Sequence, residues 1–145
     1  MPVTTSLLQL VHRIDQKGGE RFAFRHPDVT LRQMLVLQAI AETPDGSQAA
    51  LVRRTGIDRS TMAEIVKRLV RRGMISRRRS RTDERAYKVR LTPQGEAILD
   101  VAAPYLEQVE ADLLAAVPEA AREQFIQALE KIAHSDWETD AASTT

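Results

Sequence analysis

Residues 74–96 read MISRRRSRTDERAYKVRLTPQGE. Apolar and basic positions alternate in the second half of this stretch, where Tyr87, Val89 and Leu91 are separated by Lys88 and Arg90. This period of two predicts a strand with one buried face, and Met74-Ile75 predicts the start of a preceding strand. The tip between them, RSRTDER, is rich in arginine. Such a hairpin is either a solvated surface loop or a device that binds an anion.

The segment before the hairpin predicts two short helices joined by a tight link. Ser47 is placed as the N-cap of the helix QAALVRRT, which Gly56 ends. Asp58 is placed as the N-cap of RSTMAEIVKRLVRR, which stops at Gly73. The buried face of this second helix follows the spacing i, i+3, i+4, i+7: Met62, Ile65, Val66 and Leu69. Two helices joined in this way form a helix-turn-helix candidate.

The opposite face of the second helix is polar and basic. It carries Arg59, Ser60, Ala63, Glu64, Lys67, Arg68 and Arg71, with Thr61 at the edge of the first turn. Small residues near the N-terminus would let the helix enter a major groove, where backbone amides, hydroxyls and cations meet phosphates. Glu64 could accept a hydrogen bond from a cytosine amine, or it could form an i, i+4 pair with Arg68.

Charge is distributed unevenly along the chain. Residues 1–52 have a net charge of zero, with 5 basic and 5 acidic side chains. Residues 53–91 hold 14 basic and 4 acidic side chains, and residues 92–145 hold 2 basic and 11 acidic ones. A basic segment of net charge +10 beside an acidic one indicates a polyanion-binding module attached to a part with another role.

Helices are also predicted on both sides of this module. The apolar spacing of residues 6–17 predicts a helix, and Gly18-Gly19 weakens any continuation of it. Thr30 is placed as the N-cap of an apolar helix that the turn TPDG ends. After Thr92 and Pro93, as N-cap and first helical residue, a long helix continues through a kink at Pro104. Its apolar stripe is Ile98, Val101, Tyr105, Val109 and Leu113, and the last helix carries Phe125, Ile126, Leu129 and Ile132. Such stripes favour a dimer interface, with packing into an all-helical monomer as the alternative.

Composition excludes several classes of function. The 145 residues include no cysteine, so disulfides, thiolate catalysis and the commonest zinc sites are absent. No apolar stretch approaches the length of a membrane span, and the N-terminus lacks a signal-peptide pattern, so we expect a cytoplasmic protein without membrane contact. We expect no cofactor, metal or enzymatic activity, because no phosphate loop, nucleophile-base pattern or metal-ligand spacing occurs. Binding of single-stranded RNA needs aromatic side chains on which bases stack, and the basic segment holds a single one, Tyr87. An RNA-binding role is therefore disfavoured.

The order of these motifs resembles the MarR family of bacterial transcriptional regulators. The resemblance extends from TLRQMLVLQAIAE through GIDRSTMAEIVKRLVRRGMISR to TDERAYKVRLTPQGEAIL, and its most discriminating part is the D-x-R of the wing followed by LTPQG. It implies a mainly α fold with a small β-hairpin: a winged helix-turn-helix over residues 30–95, flanked by dimerisation helices at 6–28 and 96–135. Residues 1–137 would form this single domain, and residues 138–145 a disordered tail.

The resemblance implies a homodimer that binds double-stranded DNA at a pseudo-palindromic operator. Arg85 is the candidate for insertion into a narrow minor groove, with Asp83 holding its guanidinium. Arg77, Arg78, Arg79 and Arg81 are expected at phosphates, or in part as the charged, solvated edge of the strand. The predicted DNA contacts are Ser47, Gln48, Arg59, Ser60, Thr61, Ala63, Glu64, Lys67, Arg68, Arg77, Arg79, Arg81, Asp83 and Arg85.

The resemblance further implies a repressor released by a small effector, such as an aromatic acid, a phenol or an acyl-coenzyme A compound. Its candidate site is lined by His12, Phe22, Phe24, Arg25, Met34 and Tyr105. For these aromatic residues and Met34 the alternative is a place in the core. The alternative function is a constitutive DNA-binding or architectural protein without an effector.

Overall fold

The computed structural model describes residues 5–26, 28–79, 81 and 87–136. The elements along these residues are α1 Leu7–Arg25, α2 Leu31–Glu42, β1 Gly46–Ser47, α3 Gln48–Thr55, α4 Arg59–Arg71, β2 Ile75–Arg79, β3 Tyr87–Leu91, α5 Pro93–Leu114 and α6 Glu119–Ala133. The chain divides into two compact units, Met1–Glu110 and Ala111–Thr145. The single domain over residues 1–137 stays a prediction, and the tail 138–145 lies outside the described residues.

Helix α2 is the packing centre of the first unit, where it contacts α1, α3, α4 and β3. It begins as predicted at Thr30, whose hydroxyl accepts from the backbone N–H of Gln33 at 3.1 Å. The Gln33 side chain accepts in return from the Thr30 N–H, which completes a capping box. Met34, Leu37 and Ile40 of α2 are fully buried. This helix therefore supplies the surface on which the helix-turn-helix packs.

Helix α1 runs without interruption from Leu7 to Arg25. The expectation that Gly18 and Gly19 weaken the continuation of the helix beyond residue 17 is therefore wrong. A glycine inside a helix costs about 0.5–1 kcal/mol relative to alanine. The helix has 19 residues and buries Phe22 completely, and this packing offsets the cost of the two glycines.

The predicted hairpin belongs to a three-stranded antiparallel sheet of order β1-β3-β2. Strand β1 was not predicted: it has two residues, and it pairs Gly46 with Val89 and Ser47 with Lys88. The turn before β1 places Asp45 at a φ of 62°, and the Asp45 N–H donates to the Val89 carbonyl at 3.1 Å. A strand this short has no period of its own, so only its pairing with β3 reveals it.

Helix α5 runs from Pro93 to Leu114 and continues through Pro104, as expected. Its buried residues are Gly95, Ala102, Leu106 and Val109. Of the predicted apolar stripe, Val109 is buried, whereas Val101 and Tyr105 keep 57% and 37% of their surface exposed. Much of that stripe is therefore left uncovered in the single chain.

The second unit contains the end of α5 and all of α6. The Arg122 side chain donates from Nε to the carbonyls of Leu114 and Val117, at 3.1 and 3.0 Å. These bonds tie the start of α6 to the end of α5. No residue of α6 is buried. None of the helices in the described ranges has the length and hydropathy needed to cross a membrane.

Candidate nucleic-acid interface

Helices α3 and α4 form the predicted helix-turn-helix, with α4 in the place of a recognition helix. Gly56 ends α3 in the left-handed region at a φ of 73°, and its N–H donates to the Val52 carbonyl at 2.9 Å. Ile57 is 8% exposed and anchors the link in the core. Asp58 then caps α4. The left-handed glycine lets the chain turn sharply enough for both helices to share one core.

Three hydrogen bonds converge on the Asp58 carboxylate. The Thr61 N–H donates to Oδ1 at 2.9 Å, the Thr61 hydroxyl to Oδ2 at 2.7 Å, and the Ser60 hydroxyl to Oδ1 at 2.9 Å. Because each bond favours the ionised form, the bonds from Thr61 and then Ser60 lower the pKa of Asp58 to about 2. The first turn of α4 is thus capped by a permanent negative charge at neutral pH.

This cap limits the hydrogen bonds that Ser60 and Thr61 can form with DNA. Both hydroxyl protons are directed to Asp58, so each side chain presents an oxygen that accepts rather than donates. The Thr61 N–H is also committed to the cap. The two residues therefore suit contacts with base amines better than contacts with phosphate oxygens.

The two faces of α4 match the prediction. Met62, Ile65, Val66 and Leu69 are buried. The exposed residues are Arg59, Ser60, Ala63, Glu64, Lys67, Arg68 and Arg71, and Thr61 is half-buried. Both Glu64 and Arg68 lie in the described part of the chain, and no ion pair joins them there. The geometry therefore does not support the alternative of an i, i+4 pair for Glu64.

The start of α3 lies beside α4. Ser47 accepts from the Ala50 N–H at 3.1 Å, which confirms it as the N-cap. Gln48 and Arg59 line one groove of about 230 Å³ with Ala49, Val52 and Met62. The fold thus brings two of the predicted DNA-contacting side chains from different helices to one surface.

The wing sheet has two chemically different faces. The register pairs Ile75 with Leu91, Arg77 with Val89 and Arg79 with Tyr87, so these residues share the face that carries the core residues Ile75 and Val89. On this face the Arg77 guanidinium lies 4.8 Å from the centre of the Tyr87 ring, in cation–π contact. The register therefore places the predicted contacts Arg77 and Arg79 on the core side of the sheet, but the side chain of Arg79, at the end of β2, also lines the groove described next.

The opposite face, formed by Ser76, Arg78, Lys88 and Arg90, is called the outer wing face here. Arg78 stands directly across from Lys88, a like-charge pair that disfavours strand pairing and favours an anion nearby. Arg90 is neutralised by an ion pair with Asp45, which lowers the pKa of Asp45. A groove of about 270 Å³ on this face is lined by Asp45, Ser76, Arg78, Arg79, Arg81, Lys88 and Arg90.

The sequence predicted phosphate contacts for Arg77, Arg78, Arg79 and Arg81 and did not separate them by face. Alternation along β2 separates Arg78 from Arg77, whereas the side chains of Arg79 and exposed Arg81 line the groove together with Arg78. Charge counting cannot make this separation, because it needs the register of β2 against β3. The wing residues Asp83 and Arg85 lie outside the described residues, and their roles stay predictions.

Known proteins with this sequence pattern are transcriptional regulators. A sequence model of the MarR family matches residues 28–86. The transcriptional regulator HosA of Escherichia coli O157:H7 is 30% identical over 132 residues, which cover 91% of this chain and 98% of HosA. The chain belongs to the MarR family. It is therefore a DNA-binding transcriptional regulator of the MarR type, and the surface of α3, α4 and the wing is the candidate for DNA contact.

Two solved structures share the fold over nearly the whole chain. One concerns the regulation of DNA binding of Bordetella bronchiseptica BpsR by 6-hydroxynicotinic acid; it has a TM-score of 0.84 and 25% identity, covering 94% of this chain and 99% of the other. The other is the transcriptional regulator PcaV of Streptomyces coelicolor in complex with its natural ligand. It has a TM-score of 0.81 and 27% identity and covers 92% of this chain and 95% of PcaV. The winged helix-turn-helix fold of the MarR family is thereby confirmed.

The six residues predicted to line an effector site lie in different surroundings. Phe22 and Met34 are fully buried, Phe24 is 91% exposed, and Tyr105 is partly exposed. His12 lines a groove of about 460 Å³ between α1 and α2. Arg25 is half-buried. The described structure therefore places Phe22 and Met34 in the core, which was their stated alternative.

Sequence reasoning missed a buried histidine beside two of these residues. His26 is 6% exposed, and its ring centre lies 6.1 Å from that of Phe22 and 5.5 Å from that of Tyr105. Its Nδ1 atom is buried without a hydrogen-bond partner among the described residues. A single histidine before a proline has no periodicity or spacing that would have distinguished it in the sequence.

Proposed function

We propose that this MarR-family protein is a repressor that binds a pseudo-palindromic operator as a homodimer and is released by a small aromatic acid. Two copies of α4, about 34 Å apart, would enter successive major grooves on one side of the DNA. The effector would change the spacing of the two helices and so lower the affinity for the operator.

The observation that carries sequence-specific binding is the exposed face of α4. Four core residues fix the rotation of the helix, and small polar residues at its N-terminus are followed by cations. The acceptor oxygens of Ser60, Thr61 and Glu64 suit base amines in a major groove. Lys67 and Arg68, further along the exposed face, suit phosphates.

Exposed apolar faces support the homodimer. On α1, Leu7, Leu10, Val11 and Ile14 follow helical spacing and keep about half of their surface exposed. On α6, Ile126, Leu129 and Ile132 are also exposed. Large apolar side chains aligned on two helices favour an interface with a second copy, because water contact with such a surface is unfavourable. A dimer also provides the two-fold symmetry that a palindromic operator requires.

The relatives support the effector class. The DNA binding of BpsR is regulated by 6-hydroxynicotinic acid, and PcaV has a natural ligand. 6-Hydroxynicotinic acid carries a carboxylate and a hydroxyl group on an aromatic ring. A related compound would fit a site with cations and aromatic rings, and His26 with Tyr105 supplies aromatic surface and an unsatisfied ring nitrogen.

Selection of bound sequences from a random DNA pool tests the DNA-binding part of the proposal. We expect a palindromic consensus, whose half-sites lie about one helical turn apart. Recovery of unrelated sequences, or of a single unpaired half-site, would contradict operator binding by a dimer. The consensus site then serves in a release assay with 6-hydroxynicotinic acid, hydroxybenzoic acids and their coenzyme A thioesters. Binding that none of these compounds changes would favour a constitutive DNA-binding protein.

A further inference from the structure

The end of the recognition helix is tied directly to the first turn of α5. Helix α4 closes with two backbone bonds: the Gly73 N–H donates to the Val70 carbonyl, and the Met74 N–H to the Leu69 carbonyl, both at 3.0 Å. With Gly73 in the left-handed region at a φ of 71°, this is a Schellman motif. These two backbone hydrogen bonds and the conformation of Gly73 therefore fix the direction in which the chain leaves α4.

Thr92 binds this motif from the other side. Its N–H donates to the Met74 carbonyl at 3.0 Å, and its hydroxyl donates to the Gly73 carbonyl at 2.5 Å. The same hydroxyl oxygen accepts from the Gly95 N–H at 3.1 Å and so caps α5. One side chain thus joins the C-terminus of α4 to the N-terminus of α5.

The first turn of α5 is also in backbone contact with Met74, in the segment that follows α4. A Cβ atom added to Gly95 would lie 1.9 Å from the Met74 carbonyl oxygen. Met74 is 2% exposed and Gly95 is buried, so water does not separate them. The junction of Gly73, Met74, Thr92 and Gly95 is called the α4–α5 clamp below. Its contacts are made by backbone groups and the short Thr92 hydroxyl, so no long side chain lies between them that could absorb a displacement.

We infer that Thr92 is a positioning residue for DNA recognition, because the α4–α5 clamp makes the recognition helix follow every movement of α5. A short hydroxyl held by one acceptor and one donor has few alternative arrangements, so a shift of α5 moves the end of α4 by a similar distance. The inference rests on the proposed function, in which α5 belongs to the dimerisation part and the distance between two copies of α4 sets operator spacing.

The test compares three variants at two threonines. Thr92→Val keeps the shape of the side chain and removes both hydroxyl bonds of the clamp. Thr30→Val is the matched control, since Thr30 also caps a helix but has no bond to α4 or α5 among the described contacts. Thr92→Ser retains the hydroxyl and should therefore keep the wild-type preference for the distance between half-sites. All three proteins are folded as full-length chains and checked by circular dichroism before DNA is added.

The readout is the preferred distance between operator half-sites. Each added base pair moves one half-site by about 3.4 Å, so a rigid dimer should discriminate between spacers that differ by one or two base pairs. We expect wild type, Thr30→Val and Thr92→Ser to prefer one spacer by about tenfold or more, and Thr92→Val to reduce this preference to about twofold. An unchanged preference in folded Thr92→Val would overturn the inference, whereas a general loss of affinity at every spacer would indicate a purely structural role.

Hydrogen exchange of the wild-type protein gives a second, independent measurement. If the clamp is one unit, the amides of Met74, Thr92 and Gly95 should exchange at similar rates and slow down together when operator is bound. Separate exchange rates would overturn the inference even if Thr92→Val failed to fold. If the wild-type protein selects no palindrome, the proposed function fails, and the exchange data still decide whether the clamp exists.

Discussion

Replacing Gly95 with alanine should destabilise the protein, although alanine is the better helix former. The added Cβ would lie 1.9 Å from the Met74 carbonyl oxygen, and ordinary contacts begin at about 3.4 Å, so α5 and Met74 must separate by about 1.5 Å. The oxygen belongs to the backbone and cannot rotate away as a side chain could. The substitution therefore has to move one of the two chain segments.

The net cost follows from three contributions. Overpacking of this kind costs about 1–3 kcal/mol. Loss of the bond from the Thr92 N–H to the Met74 carbonyl costs roughly 0.5–1.5 kcal/mol. The gain in helix propensity returns about 0.5–1 kcal/mol. We therefore expect Gly95→Ala to lower the free energy of unfolding by about 2 kcal/mol.

Gly19→Ala is the matched control. Gly19 also lies inside a helix, but a Cβ added there meets no atom within 4 Å among the described residues. The same chemical change should stabilise the protein by about 0.5–1 kcal/mol. Urea unfolding of both variants at one protein concentration measures the difference, because the stability of a dimer depends on concentration. A Gly95→Ala protein as stable as wild type would refute the close contact between α5 and Met74.

Three further predictions concern the DNA-binding surface. Asp58 has a pKa of about 2 in the folded protein against an ordinary 3.8, so its contribution to stability is complete above about pH 4 and is lost as the pH falls from 4 to 2. Asp58→Asn keeps an N-cap but cannot titrate, so its unfolding free energy should fall less steeply over this range; an equal slope would contradict the cap. Arg68→Ala should flatten the plot of log affinity against log salt by about 0.9 if Arg68 meets a phosphate, whereas Arg32→Ala, which removes an ion pair with Asp15, should not. Arg85→Ala should weaken operator binding clearly in a gel-shift titration, and unchanged affinity would remove Arg85 from the minor groove.

Local patterns in the sequence were sufficient for most of the DNA-binding part. Helix caps act over three or four residues, so Thr30, Ser47 and Asp58 could be placed as N-caps without tertiary information. The buried face of α4 follows from the spacing of its apolar residues in the same way. These features depend only on residues that are close together in the chain, so they can be predicted from the sequence.

Other features required contacts between distant segments. Gly18 and Gly19 suggested a weakened continuation of the first helix, but α1 continues through both glycines to Arg25 because its packing offsets their cost. Strand β1 exists only through its pairing with Val89, more than forty residues away. The partner of His26 in the ring cluster, Tyr105, comes from another helix. Most of the predicted effector residues could not be assigned to core or surface from the sequence, because helical spacing alone does not show which neighbour covers a face.

The sequence by itself determined the order of the helices and of the two hairpin strands, the N-caps of α2, α3 and α4, the face of α4 that meets the core and the basic segment that indicates DNA. These are consequences of local periodicity and composition. Tertiary structure alone decided that Arg78 and Lys88 share one wing face while Arg77 lies against Tyr87 on the other. It also decided that Thr92 and Gly95 hold the end of the recognition helix. The physical reason is the same in both cases: strand register and helix contact depend on groups that meet only after the chain has folded.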